Sequence, residues 1–160
     1  MRAWRTTPSF VGAYCFGDAA SCPCGNGGGA GRGCASSVNA NGALLVGVGA
    51  PRLANDTFEL RGSGMPNTPV LYFQGASQTQ AAFGDGLRCV AGAVVRLGTR
   101  TNSGGASSYP ASGDLPVSVR GGITQAGQQR HYQAWYRNAA AYCTPSTFNL
   151  TNGFSATWQP

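Results

Sequence analysis

The sequence contains no lysine, a single histidine (His131) and only five acidic residues, Asp18, Asp56, Glu59, Asp85 and Asp114. Each shortage excludes a class of chemistry. Nucleophilic catalysis needs a base held beside a Ser or Cys, and His131, midway along an alternating segment, is expected on a strand surface instead. The five carboxylates fall in separate segments, so none forms the acid and base pair of a glycoside hydrolase. Asp18 and Asp85 each follow Phe-Gly and are expected to hold loop amides with their carboxylates. Calcium held by Asp85 and backbone carbonyls is the lesser alternative, because no D-x-D-x-D-G spacing occurs. No catalytic residue, metal ligand or cofactor site is expected.

Long apolar runs are also missing. Nothing approaches the roughly 20 residues that span a bilayer, and Met1-Arg2-Ala3-Trp4-Arg5-Thr6 lacks the apolar stretch of a signal peptide. The chain is expected to be soluble and not inserted in a membrane; an export signal would have been removed or would lie in a longer precursor. Charge of both signs is scarce, at 10% of residues against about 25% in ordinary domains. The net charge of +6 rests on eleven arginines, which occur singly from Arg2 to Arg137 with no run or helical stripe that would track a phosphate backbone. Nucleic acid is therefore not an expected partner.

What is present is glycine, 25 residues of it, with 42% apolar residues in a chain of 160. That length suits one domain with one core. Six cysteines stand at Cys15, Cys22, Cys24, Cys34, Cys89 and Cys143. Zinc sites require C-x2-C or C-x4-C pairs or nearby histidines, and thioredoxin-like chemistry requires C-x-x-C. The spacing here is C-x6-C-x-C-x9-C, so structural disulfides are expected. Cys22 and Cys24 are too close in sequence to pair readily. The four local cysteines are expected to pair among themselves, as Cys15–Cys24 with Cys22–Cys34 or as Cys15–Cys22 with Cys24–Cys34, the interleaved set being preferred. Cys89 and Cys143 would then close a loop of about 54 residues, worth roughly 4 kcal/mol on the chain-entropy estimate.

Residues 15–34 carry many glycines and almost no large apolar side chain, so they read as a knotted loop; residues 1–40 are expected to be an arm and this loop, and 41–160 the folded domain. From Ala43 onward short β-type runs alternate with Gly, Pro, Asn and Ser, the pattern of an antiparallel all-β sandwich of about seven strands. The expected strands are 43–48, 57–61, 70–74, a long one at 89–97 bent at Gly92, 115–120, 130–137 and 154–158. Val70-Leu71-Tyr72-Phe73-Gln74 is apolar on both faces, which marks a central strand covered on each side. Asn138-Ala139-Ala140-Ala141-Tyr142 offers at most one helical turn. Residues 102–110 and 121–128 read as loops.

Several segments together resemble a Cys/Gly-rich domain of secreted proteins from planctomycetes and similar bacteria, often placed at the C-terminus of longer chains. They are Tyr14-Cys15-Phe16-Gly17-Asp18, Cys22-Pro23-Cys24-Gly25-Asn26, Gly31-Arg32-Gly33-Cys34, Leu71-Tyr72-Phe73-Gln74-Gly75, Phe83-Gly84-Asp85-Gly86-Leu87-Arg88-Cys89, and the stretch from Tyr136 to Gly153. The resemblance implies an exported module and carries no catalytic residues to this chain.

Function is therefore expected from surfaces. The first expectation is a non-enzymatic structural or interaction module of the cell surface or extracellular space. Its partners would be further copies of itself in a filament-like assembly, or other extracellular proteins, with pairing edges of apolar strands as the means. The second is a carbohydrate-binding module, with Tyr109, Tyr132, Gln133, Trp135 and Trp158 supplying rings and an amide for sugars.

Overall fold

The computed structural model describes residues 12–160; the first eleven residues of the expected N-terminal arm lie outside this range. The chain is nearly all antiparallel β. In order the elements are β1 (Gly12–Tyr14), β2 (Leu44–Val48), β3 (Glu59–Ser63), β4 (Pro69–Gly75), β5 (Ser77–Phe83), β6 (Gly86–Ala91), β7 (Val95–Thr101), β8 (Ser107–Tyr109), α1 (Val117–Arg120), β9 (Gln129–Arg137), β10 (Phe148–Leu150) and β11 (Gly153–Thr157).

A six-stranded sheet runs in the order β1-β11-β9-β4-β7, with β10 also paired to β9. The alternation of β9 decides what lies on either side. Tyr132, Ala134 and Tyr136 face a core shared with Leu45 and Leu60 of the three-stranded sheet β2-β3-β8 and with Phe58 just before β3. His131, Gln133 and Trp135 point the other way, the face covered in part by the β5–β6 hairpin and the glycine-rich loop. There Phe73, Val90 and Leu150 form one small cluster and Cys22, Cys34, Leu87 and Cys89 another. The central strands β4 and β9 are thus buried on both faces, which is why Val70, Tyr72 and Phe73 are all apolar and all buried.

Four expected elements differ. Residues 115–120 form no strand, because Pro116 starts a helical turn in which Arg120 N–H donates to Pro116 O and Gly121 N–H to Val117 O. Residues 89–97 divide into β6 and β7 at a turn where Gly92 has φ +81°, so a turn between strands of two different sheets replaces the expected bend. Residues 138–142 form no helical turn. The expected loop at 102–110 contains β8. Strands β1, β5 and β8 carry no apolar alternation that would have marked them, and β10 is a single Phe-Asn-Leu triplet, too short to stand out; β5 reads Ser-Gln-Thr-Gln-Ala-Ala-Phe and is mostly exposed.

The cysteines pair as Cys15–Cys89, Cys22–Cys34 and Cys24–Cys143. Cys22–Cys34 is one half of the interleaved set; the expected Cys15–Cys24 and Cys89–Cys143 bridges are not formed. The reason is position. Cys15 follows β1, which lies on β11 with Tyr14 opposite Gly153, and the covering strand β6 brings Cys89 within a Cα separation of 6.0 Å. The loop is therefore no self-contained knot, since two of its three bridges join it to residues beyond 41. Glycine permits its close seating: a Cβ on Gly33 would lie 2.4 Å from Leu150 O, and one on Gly17 2.4 Å from Cys34 N.

Candidate binding site

The five residues proposed for sugar contact do not share a surface. Tyr109, Tyr132, Gln133 and Trp158 are buried, each no more than 2% exposed. They serve the interior instead. Trp158 Nε1 donates to Tyr132 OH at 3.1 Å, Tyr132 OH donates to Gln74 Oε1 at 3.0 Å, and Gln74 Nε2 donates to Gly121 O at 3.0 Å, so a polar chain runs through the core. Burial raises the Tyr132 phenol well above its usual range. Gln133 accepts from Cys89 N–H at 2.9 Å and donates to Leu87 O and Thr151 O at 2.8 and 2.7 Å, tying β6 to β9. Tyr109 OH donates to Leu115 O at 3.1 Å. Only Trp135 stays partly open.

His131 lies within the fold, not on a strand surface. It is 5% exposed, sits opposite Ser155 on β11, and its Nδ1 lies 2.7 Å from Ser155 Oγ. Tyr14 packs edge-on against its ring. Ser155 is itself buried, so this serine and histidine form a cross-strand pair beneath the β5–β6 hairpin and do not face an open cleft. Burial, with the charge of Arg130 second, lowers the His131 pKa below its ordinary value.

Asp85 holds loop amides, in a fuller sense than its Phe-Gly-Asp context suggests. Its carboxylate is wholly buried and accepts from Thr144 N–H at 2.9 Å, Thr144 Oγ1 at 2.7 Å and Asn138 Nδ2 at 3.1 Å. Those donors fasten the 138–147 segment beside the Cys24–Cys143 bridge. With three protein donors on it, the carboxylate is engaged in structure rather than aimed at a cation. Among the described residues no three metal-ligating side chains cluster.

One apolar groove, of about 630 Å³, remains on the outer face of the six-stranded sheet. It exists because the β5–β6 hairpin covers the β9 and β11 side of that face and stops short of β7. Leu71 and Phe73 of β4 and Trp135 of β9 form its floor, while Phe83 and Val94 stand at its wall, 41% and 42% exposed. The aromatic rings form a packed run, with Phe83 at 4.7 Å from Phe148 and Trp135 at 5.3 Å from Phe148. Three guanidinium groups line the same groove, Arg88 from β6, Arg96 from β7 and Arg120 from α1, and no carboxylate does. Arg137 lies 5.2 Å over the Trp135 ring, so a fourth cation borders the site. Trp135 Nε1 is buried without a hydrogen-bond partner among the described residues.

The outer edge of β7 is protected. Arg120 Nε donates to Leu97 O at 3.3 Å and Arg100 Nη1 to Thr99 O at 2.9 Å, so side-chain guanidinium groups occupy carbonyls that another strand would otherwise take. Nothing local in the sequence marks the groove. Its arginines are scattered singly over 33 positions of chain, and only strand pairing brings them to one place.

No protein-family model, curated protein or solved structure matches this chain.

Proposed function

We propose that this chain is a non-enzymatic extracellular interaction module, a rigid β scaffold that attaches by its apolar groove to an acidic component of a cell surface or matrix assembly. The observation that carries this reading is the groove itself: where the cover over the outer face of the large sheet is incomplete, half-buried Leu71 and Trp135 and exposed Phe83 and Val94 line one groove together. Exposed apolar groups gathered in one place mark interaction surfaces more often than single exposed ones do. Three disulfides suit an oxidising compartment. The partner is acidic rather than a second copy, because a chain of net charge +6 repels itself, and the guarded β7 edge works against strand-to-strand growth.

Carbohydrate binding is the second reading, and Trp135 is the observation in its favour. It is the member of the five candidates that lines the groove. Its ring is flanked by Arg137 and Phe148, so a sugar would meet mainly its edge.

Fractionation of cells that produce the protein tests the module. The native chain is expected in the surface or matrix fraction with its thiols oxidised, and a Phe83→Asp/Val94→Asp variant, shown by thermal unfolding to be folded, is expected free in the medium. Native protein found reduced inside the cell, or native and variant chains equally free, would overturn the proposal.

A further inference from the structure

We infer that the groove takes an amphipathic anion, an alkyl or aryl chain that ends in a carboxylate, sulfate or phosphate. The assignment rests on the groove being the domain's binding surface and adds the chemistry of what it holds.

Three features of the lining point there together. Its floor is apolar, so it favours a hydrocarbon body over a hydroxyl-covered one. The neutral hydroxyl in the lining is that of Thr99, and a neutral sugar would leave most of its hydroxyls without partners. Its cations have no internal use as ion pairs: the two ion pairs among the described residues are Arg61 with Glu59 and Arg100 with Asp114, and neither involves Arg88, Arg96 or Arg120. Arg88 and Arg120 are held in place through Nε, which donates to Val90 O at 2.9 Å and to Leu97 O at 3.3 Å. That leaves the terminal nitrogens of each to meet an anion. Guanidinium is the cation suited to this task, since it is weakly hydrated, planar and able to grip two oxygens at once.

The three groups come from three different elements that close on one apolar floor. A phosphate backbone needs cations in a track along its length, whereas a single head group on an apolar chain needs them gathered at a rim. An amphipathic anion fits the second arrangement. Lipid-like acids, aryl acids and acidic lipid head groups share this chemistry, and the carboxylate and sulfate arms of the experiment separate carboxylic from strong-acid head groups.

Isothermal titration of the full chain tests the assignment with four ten-carbon probes below their micelle concentrations: decanoate, decyl sulfate, decan-1-ol and decyltrimethylammonium. The anions are expected to bind at least about tenfold more tightly than decan-1-ol, a difference in binding free energy of about 1.4 kcal/mol, and the ammonium is expected not to bind. Whichever of decanoate and decyl sulfate binds more tightly identifies the head group. Arg96→Gln, at an exposed position, is expected to weaken both anions severalfold and to leave decan-1-ol unchanged. Thr99→Glu, which plants a carboxylate in the groove, is expected to abolish anion binding, with thermal unfolding confirming that both variants are folded. Equal affinity for the anions and decan-1-ol, anion binding unchanged in both variants, or no heat from any probe would each overturn the assignment. A chain retained at the surface yet silent toward all four probes would refute the amphipathic anion and leave the interaction module standing.

Discussion

The paired centre of the large sheet and the glycine-rich loop at 15–42 are held by different physics. In β4 and β9, side chains do the work: Tyr72, Tyr132 and Tyr136, with Trp158 just past β11, are fully buried, and the Tyr72 and Tyr132 hydroxyls and the Trp158 ring nitrogen make use of polar groups carried inside with them. In the loop the backbone does it. Gly17 N–H donates to Arg32 O, Gly28 N–H to Gly17 O and Gly33 N–H to Ala43 O, each at 2.8 to 2.9 Å, while sulfur atoms fill the space that apolar side chains fill elsewhere. A segment without large side chains offers little apolar area to bury, so covalent staples and close backbone contact replace the hydrophobic term. The staples are directed outward: Cys24–Cys143 spans 119 residues and Cys15–Cys89 spans 74, against 12 for Cys22–Cys34. Longer loops forfeit more unfolded-state freedom, about 5 and 4 kcal/mol against about 3 on the chain-entropy estimate, although overlapping loops do not add.

This contrast breaks first at its centre. Trp158→Ala should cost about 3–5 kcal/mol, since it opens a large cavity and removes the donor to Tyr132 OH. Denaturant unfolding under oxidising conditions measures it, and a loss below about 1 kcal/mol would show that the core is not organised around this ring.

The staple comes next. The paired variant Cys24→Ser/Cys143→Ser should cost about 2–5 kcal/mol, and hydrogen exchange should show where. Amides near Thr144 are expected to lose protection although Asp85 still accepts from them, while those of β4 and β9 keep their order of protection. Uniform loss across the chain would mean that the loop and the sheet centre form a single cooperative unit.

The smallest effect is expected at His131. Its pKa is lowered in the folded chain from an ordinary 6.5, so the unfolded chain binds a proton at higher pH than the folded one does. Stability therefore falls as the pH drops below about 6.5 and levels off once the folded histidine is itself protonated. His131→Gln should cost about 1 kcal/mol or less near pH 8 and flatten this decline. Parallel stability curves for the native and variant chains across that range would rule out the buried histidine as its source.

Much of the sheet was legible because alternation is a local signal. Val70 to Gln74, apolar on both faces, is the doubly covered strand that its composition suggested, and the two faces of residues 130–137 are the two faces of β9. The strands that were missed are three-residue segments, or in β5 a polar one, held by their neighbours rather than by their own pattern. Leu115 to Arg120 alternates like a strand yet turns as a helix, because Pro116 supplies a starting φ and no N–H. Of the candidate site, Trp135 alone was legible. Tyr109, Tyr132 and Trp158 are aromatic in the same way, and nothing in their neighbours along the chain distinguishes a ring turned inward from one at a groove.

The amino-acid sequence by itself determined the class of this protein: an antiparallel β domain with sparse charge, every fixed side-chain cation a guanidinium, and enough cysteine for three bridges. Tertiary structure alone decided which cysteines pair, that His131 is buried against Ser155, and that Arg88, Arg96 and Arg120 line one apolar groove. The physical reason is range. Side-chain alternation and turn chemistry act between residues a few positions apart, whereas a disulfide or a cluster of cations depends on which strands become neighbours, and that is settled by how the whole sheet is covered.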